Sequence, residues 1–262
     1  MDNIKYVSIY TPRYGKPIKK IASFILDFII IVIVFTGFLL LSSYIFNYDA
    51  KFSEYNKLIV DSGVGTLDEN NKIVYCSIEN AECENAYRTL YSNPAFIELY
   101  GSIRKYWFFG PTLSMLIATL IFEFIIPLSN KKHMTIGMRL FQLAPLSNSG
   151  VKVSTLQLFI RFLFGRFIIC GVLPVFAILY VMIDDGNILF SIILLVLILV
   201  ANIVCYVLSH QRSLISNTIA QCSLVDANEQ IFFDNTKQLA AAKAKEYEYY
   251  LKGNKYGYQH TK

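Results

Sequence analysis

Asp27, Glu123, Arg161 and Arg166 are the residues of this chain whose types and settings point to chemistry. Each interrupts an otherwise apolar run, and ionisable groups inside membrane spans are expensive, so they mark either a pathway or a buried pair. Asp27 follows Lys20 by seven residues, two helical turns on and on the same face. At the rise of a helix this sets it roughly 10 Å deeper than Lys20. Glu123 lies one turn before Pro127, at the end of a second apolar run, and Arg161 and Arg166 open a third. Two acids and two arginines are therefore expected at similar depth. Lone charges there cost roughly 2.5–3.5 kcal/mol each, which calls for pairing.

Two readings of that cluster stand. In the structural one, ion pairs staple three helices together and the long arginine side chains reach toward the interface. In the other, Asp27 and Glu123 form a cation or proton site, with Lys20, Arg161 and Arg166 as charge partners. If the span edges lie elsewhere, the same groups are merely interfacial.

The elements that must position these residues are membrane helices. Hydrophobic residues make up 55% of the 262 and charged residues 16%, an apolar balance outside that of a soluble chain. A span needs roughly 20 mostly apolar residues. Four segments meet that need, at about 21–46, 107–128, 158–183 and 188–208, the third helix beginning near Thr155. The expected fold is an all-α membrane protein with four transmembrane helices. The uncharged stretch Phe28 to Phe46 is too long for a signal-peptide core and no A-x-A site follows, so the first span is read as retained.

Charge sets the expected orientation. Residues 1–20 form a basic lead-in with Lys5, Arg13, Lys16, Lys19 and Lys20 against Asp2. The connector 129–157 carries Lys131, Lys132, His133, Arg139 and Lys152 and no acid, and His210 and Arg212 follow the fourth span. The large loop 47–105 holds nine acids against six bases, and Asp184-Asp185-Gly186 is an acidic turn. The positive-inside rule then places both termini in the cytoplasm, the large loop outside, and the polar tail 227–262 inside. Within that tail, Asp234 to Leu251 reads as a short helix with a weak apolar face. Tyr100, Tyr106 and Trp107 read as an interfacial anchor. The basic balance of +5 lies on one side of the spans, not in a Lys/Arg stripe on a soluble fold, and argues against nucleic acid as partner.

Cys76 and Cys83 share the outer loop, where oxidation is permitted, and are either a disulfide or two unrelated thiols. Cys170 and Cys205 lie in spans and Cys222 in the cytoplasmic segment. His133, His210 and His260 are scattered, so no metal site and no cofactor are expected. G-x-S-x-G, H-E-x-x-H and Walker A motifs are absent. Gly63-Val64-Gly65 lacks the third glycine of a dinucleotide loop, and Ser42-Ser43 has no His or Lys beside it. Enzymatic activity is not expected.

The ordered motifs resemble those of the RDD family of bacterial membrane proteins. Lys19-Lys20-Ile21-Ala22-Ser23-Phe24-Ile25-Leu26-Asp27 is similar to its basic-then-acidic opening, with lysine where the family usually has arginine. Glu123-Phe124-Ile125-Ile126-Pro127-Leu128 matches the run that ends the second span in many members. Thr135-Ile136-Gly137-Met138-Arg139 resembles a Thr-x-Gly-Lys-Arg/Lys motif, and Arg161 stands where the third span commonly opens with arginine. Ser216-Asn217-Thr218-Ile219-Ala220-Gln221-Cys222 is similar to a closing His-Asp-x-x-Ala-Gly-Thr motif. The resemblance covers residues 15–226. Of the arginine and two aspartates that name the family, only Asp27 is unchanged; Lys20 and Asn217 stand at the other two places. The resemblance implies transport, with cation/proton exchange attributed to some members, in a bacterial cell membrane. Four helices rarely enclose a path alone, so a homo-oligomer or a membrane partner is expected. The rival expectation is a non-transporting accessory or assembly protein whose charges are structural.

Overall fold

The computed structural model describes residues 8–69, 72–77, 80–183, 188–209, 211 and 213–255. The Asp184–Gly186 turn, His210, Arg212 and His260 lie outside the described residues. Pro17 opens the first helix, α1 (Pro17–Ile45), where the missing proline N–H is no loss. Asn47, in the left-handed region at φ 50°, turns the chain into α2 (Tyr48–Asp61). A hairpin of β1 (Gly65–Leu67) and β2 (Ile73–Tyr75) follows, then α3 (Ala81–Ser92), started by the Asn80 side chain accepting the Glu82 amide. The second long helix runs as α4 (Pro94–Leu120), a π-wound turn at Ile121–Ile125 and α5 (Ile126–Leu128).

Beyond it come α6 (Ile136–Leu140) and β3 (Leu143–Ser147). The third long helix starts as α7 (Thr155–Ile160), is π-wound over Arg161–Val172, and ends as α8 (Leu173–Ile183). Its start is a capping box in which Ser154 and Gln157 satisfy each other's amides. The last span is α9 (Ile188–Leu208), followed by α10 (Ile215–Ile219), β4 (Cys222–Asp226) and α11 (Thr236–Lys255).

Four helices, Pro17–Ile45, Pro94–Leu128, Thr155–Tyr180 and Ile188–Leu208, are long and apolar enough to cross a membrane. Their apolar side chains are widely exposed: Ile33 is 66%, Leu40 68% and Val207 69% exposed. Water would not tolerate so large a continuous apolar surface on a monomer; lipid would.

The architecture departs from the all-α expectation in two places. Residues 47–105 are not an open loop: two helices and the β1–β2 hairpin occupy most of it, and the second long helix begins at Pro94 rather than near 107. The hairpin is locally encoded, its Asp68–Lys72 turn closing through Lys72 N to Asp68 Oδ1 at 2.7 Å. The connector after the second span holds β3, which pairs antiparallel with β4, Leu143 opposite Asp226 and Ser147 opposite Cys222. Both strands are buried on both faces, so they pair through backbone without the alternation that betrays a half-exposed strand.

By contacts the chain forms two units, Met1–Val32 with Ala118–Lys262, and Ile33–Ile117. The Ile33–Ile117 unit has its own core of Ile59, Val64, Leu90 and Phe96, flanked by Tyr55, Leu58, Ile73 and Tyr87. Burial pushes the Tyr55 hydroxyl up to about 12. Cys76 and Cys83 form a disulfide there, with Cα atoms 6.1 Å apart. Tyr106 donates to the Leu39 carbonyl at 3.3 Å, and Tyr48 packs on both Tyr106 and Trp107.

The other unit repeats one pattern twice about the centre of the β3–β4 pair. Each copy has an extended segment, a long helix, and later a short helix, a left-handed glutamine and a strand. The glutamines are Gln142 (φ 58°) and Gln221 (φ 51°). Their carbonyls accept reciprocally, Gln142 from Ala227 N at 2.8 Å and Gln221 from Asn148 N at 3.0 Å. The segment before the first helix bridges to β4 at Tyr14–Val225, and the one before the third bridges to β3 at Leu146–Lys152. Glutamate 246 of α11 ties the tail to this layer, accepting from Ile9 N at 2.6 Å and from Ser8 Oγ.

Candidate functional site

The buried charges gather where the long helices of this unit meet the short ones. Asp27, on α1, is 3% exposed. Its Oδ2 accepts from Thr135 Oγ1 at 2.6 Å and its Oδ1 from the Gly137 amide at 2.7 Å. Thr135 is the N-cap of α6, its hydroxyl oxygen accepting the Met138 amide at 3.2 Å. Asp27 therefore completes the start of α6, taking an amide that the helix cannot satisfy itself. Gly137 is required by this approach: a Cβ there would fall inside contact distance of the Ser23 carbonyl oxygen and 2.9 Å from Asp27 Cγ.

Glu123, wholly buried, sits in the π-wound turn Ile121–Ile125 of the second long helix. It joins two arginines of the third: Oε2 pairs with Arg161 Nη2 at 3.1 Å and Oε1 with Arg166 Nε at 3.0 Å. Both arginines lie in the π-wound stretch Arg161–Val172. The pairing expected for Arg161 and Arg166 is thus with Glu123, and a π turn is a frequent mark of a functional position in a helix. Arg166 also lies over the Phe24 ring of α1, its guanidinium carbon 4.2 Å from the centroid. Phe24 gives no sequence signal, being one more apolar residue in a span.

Lys20 turns toward the chain beyond the fourth span. Its Nζ donates to the Gln211 carbonyl at 2.7 Å and lies 5.6 Å from the centroid of Tyr14. Of the remaining motif positions, Thr135 and Gly137 hold Asp27, whereas Arg139 is exposed in the last turn of α6. Asn217 is buried in α10 and its Oδ1 accepts from Cys222 Sγ at 3.9 Å. Burial pushes the Cys222 thiol up to about 11, against the pull of Arg161. In the second copy of the repeat, Gly165 of the third helix packs on Ser216, a Cβ at 165 lying 2.5 Å from Ser216 Cα. Ser216 holds the place in α10 that Gly137 holds in α6, and only the first copy carries an acid on the facing helix.

Chemically, both Asp27 oxygens accept hydrogen bonds, whereas the Glu123 oxygens lie in ion-pair contact with the arginines without a hydrogen bond. A cation would have to displace a guanidinium at Glu123, or two neutral donors at Asp27. Among the described residues no three His, Cys, Asp or Glu side chains converge as a metal site would need. Comparison with protein-family models, with curated proteins and with solved structures finds no match.

Proposed function

We propose that this chain is an RDD-like, multi-pass protein of a bacterial cell membrane that moves a proton, a cation or another small solute across it. The observation that carries this reading is the convergence of buried charge on π-wound helix segments inside a twice-repeated unit. Parallel internal repeats are a recurrent plan in secondary transporters, with the site near their interface. Asp27 is the group assigned to proton exchange, because it is held by a hydroxyl and an amide and its protonation breaks no direct ion pair. Glu123, Arg161 and Arg166 then serve as the fixed electrostatic framework. Basic inner segments and an acidic 47–105 region support both termini in the cytoplasm. A homo-oligomer or a membrane partner supplies the rest of the path.

A second reading, an accessory or assembly protein without transport, is favoured by the structural engagement of both carboxylates, Asp27 in the start of α6 and Glu123 in ion pairs with Arg161 and Arg166. Proteoliposomes carrying an imposed pH gradient separate the two across a panel of cations. Ion-dependent proton movement supports transport, and silence across the panel supports the accessory role.

A further inference from the structure

Phe24 and Asp27 lie one turn apart on the same face of the first helix. The Arg166 guanidinium rests on the Phe24 ring, 4.2 Å from its centroid, and Phe28, a further turn along, stacks parallel to that ring at 6.5 Å. Arg166 is buried, so the cation meets the ring face with little water between them, the setting in which such a contact is strongest. Its Nε stands 3.0 Å from Glu123 Oε1 without a hydrogen bond, while Arg161 takes the other oxygen at 3.1 Å. The ion pair therefore leaves the orientation of the guanidinium loosely set, and the ring fixes it. The charged groups that act on Asp27 are Glu123 from the second long helix and Arg166 from the third. From α6 the Thr135 hydroxyl and the Gly137 amide face it, and on its own helix Lys20 is turned to the Gln211 carbonyl. Among these groups Arg166 is the cation that acts on both buried acids.

We infer that Phe24 is a positioning residue of the Asp27 site, its ring holding Arg166 where one guanidinium serves Glu123 and Asp27 together. The assignment rests on the reading of Asp27 as the proton-exchanging group. A cation near a carboxylate favours its ionised form and a second acid disfavours it. The position of the guanidinium relative to the two acids thus sets how readily Asp27 gives up its proton. Leucine at position 24 would fill the span but offer the cation no ring face, whereas tyrosine would keep one.

The test compares wild type, Phe24→Leu and Phe24→Tyr, each purified at full length, with melting in detergent as the control for folding. Two quantities are followed against pH. One is proton movement in proteoliposomes; the other is the infrared carboxyl band of Asp27, assigned by its loss in Asp27→Asn. Phe24→Leu is expected to shift both midpoints to higher pH by about half a unit or more, because the cation is no longer held near the carboxylate. Phe24→Tyr should restore the wild-type midpoints. A purely structural role would lower the melting temperature of Phe24→Leu and leave the band midpoint in place, which would overturn the assignment. So would a shift that Phe24→Tyr does not reverse. If Phe24→Leu does not fold, Phe28→Leu removes the parallel brace of the ring and should shift the band in the same direction by less; an unmoved band there overturns the assignment. A shifted band without wild-type proton movement would sustain the positioning role while refuting transport; proton movement with an unshifted band would do the reverse.

Discussion

Asp27 Oδ1 accepts the Gly137 amide at 2.7 Å, so a carboxylate inside the first span serves as part of the cap of a helix lying more than a hundred residues later in the chain. The contact allows no side chain on Gly137, since the added Cβ meets backbone and the carboxylate itself.

Gly137→Ala is therefore expected to destabilise the unit by about 1–3 kcal/mol, the usual cost of overpacking. Thermal melting in detergent measures it. Gly165→Ala should have a comparable effect through Ser216, because the obstruction there includes backbone. Wild-type melting in both variants would show that α6 and α10 are free to move away.

Asp27→Asn keeps the shape and one acceptor, and the Thr135 hydroxyl can reverse its role. The variant should insert and fold with a loss of about 1 kcal/mol, the scale of one hydrogen bond. Asp27→Ala leaves the Gly137 amide and Thr135 unmatched and should cost more. Fluorescence-detected size exclusion and melting distinguish the two.

Arg161→Ala should be damaging, by about 3–5 kcal/mol, since it removes one of two partners from a wholly buried carboxylate. Glu123→Gln should also destabilise, because both guanidiniums then lose their counter-charge. The Arg161→Ala, Glu123→Gln double variant should be less affected than the sum of the singles. Additive losses would contradict direct coupling.

The position of Asp27 and Glu123 was legible in the sequence because a charge in an apolar run stands out. The expected pairing of acids with arginines holds at Glu123, which takes both Arg161 and Arg166, whereas Asp27 is held by Thr135 and Gly137 instead. The partners of Asp27 were not legible, although Thr135 before Ile136 is an N-cap signal. Helix α6 has five residues, too few to form without tertiary support, so no periodicity announces it. Strands β3 and β4 escaped for a different reason: both faces are buried, and their partners are far apart in sequence. Between Tyr48 and Ser92 the charges that suggested a loop lie on the exposed faces of helices whose inner faces are aromatic, Tyr55 stacking on Phe96 at 5.2 Å.

Acid should loosen the layer that joins the first helix to β4. The Asn228 amide, helped by Lys19, holds the Asp226 carboxyl below its ordinary value of 3.8. A depressed folded-state pKa contributes stability that is present above the ordinary value and lost as pH falls through the lowered one. The wild type should thus lose melting temperature below about pH 4 more steeply than Asp226→Asn. The difference will be small, as the Lys19 pair is partly solvated. Parallel pH profiles would show that Asp226 does not contribute to acid stability.

Reduction of the Cys76–Cys83 bridge should act on the Ile33–Ile117 unit. In the chain-entropy picture so short a loop contributes roughly 2–3 kcal/mol. Thiol counts under denaturation should rise by two on adding reductant, and an unchanged count would show that the bridge does not form in the cell.

Asp27 as the proposed proton-exchanging group is tested most directly by comparing wild type with Asp27→Asn in proteoliposomes under an imposed pH gradient. Equal amounts of folded, inserted protein must be confirmed first. Ion-dependent proton movement is expected in the wild type, and its loss in Asp27→Asn. Undiminished movement in the variant, or none in the wild type across the panel, would contradict that role.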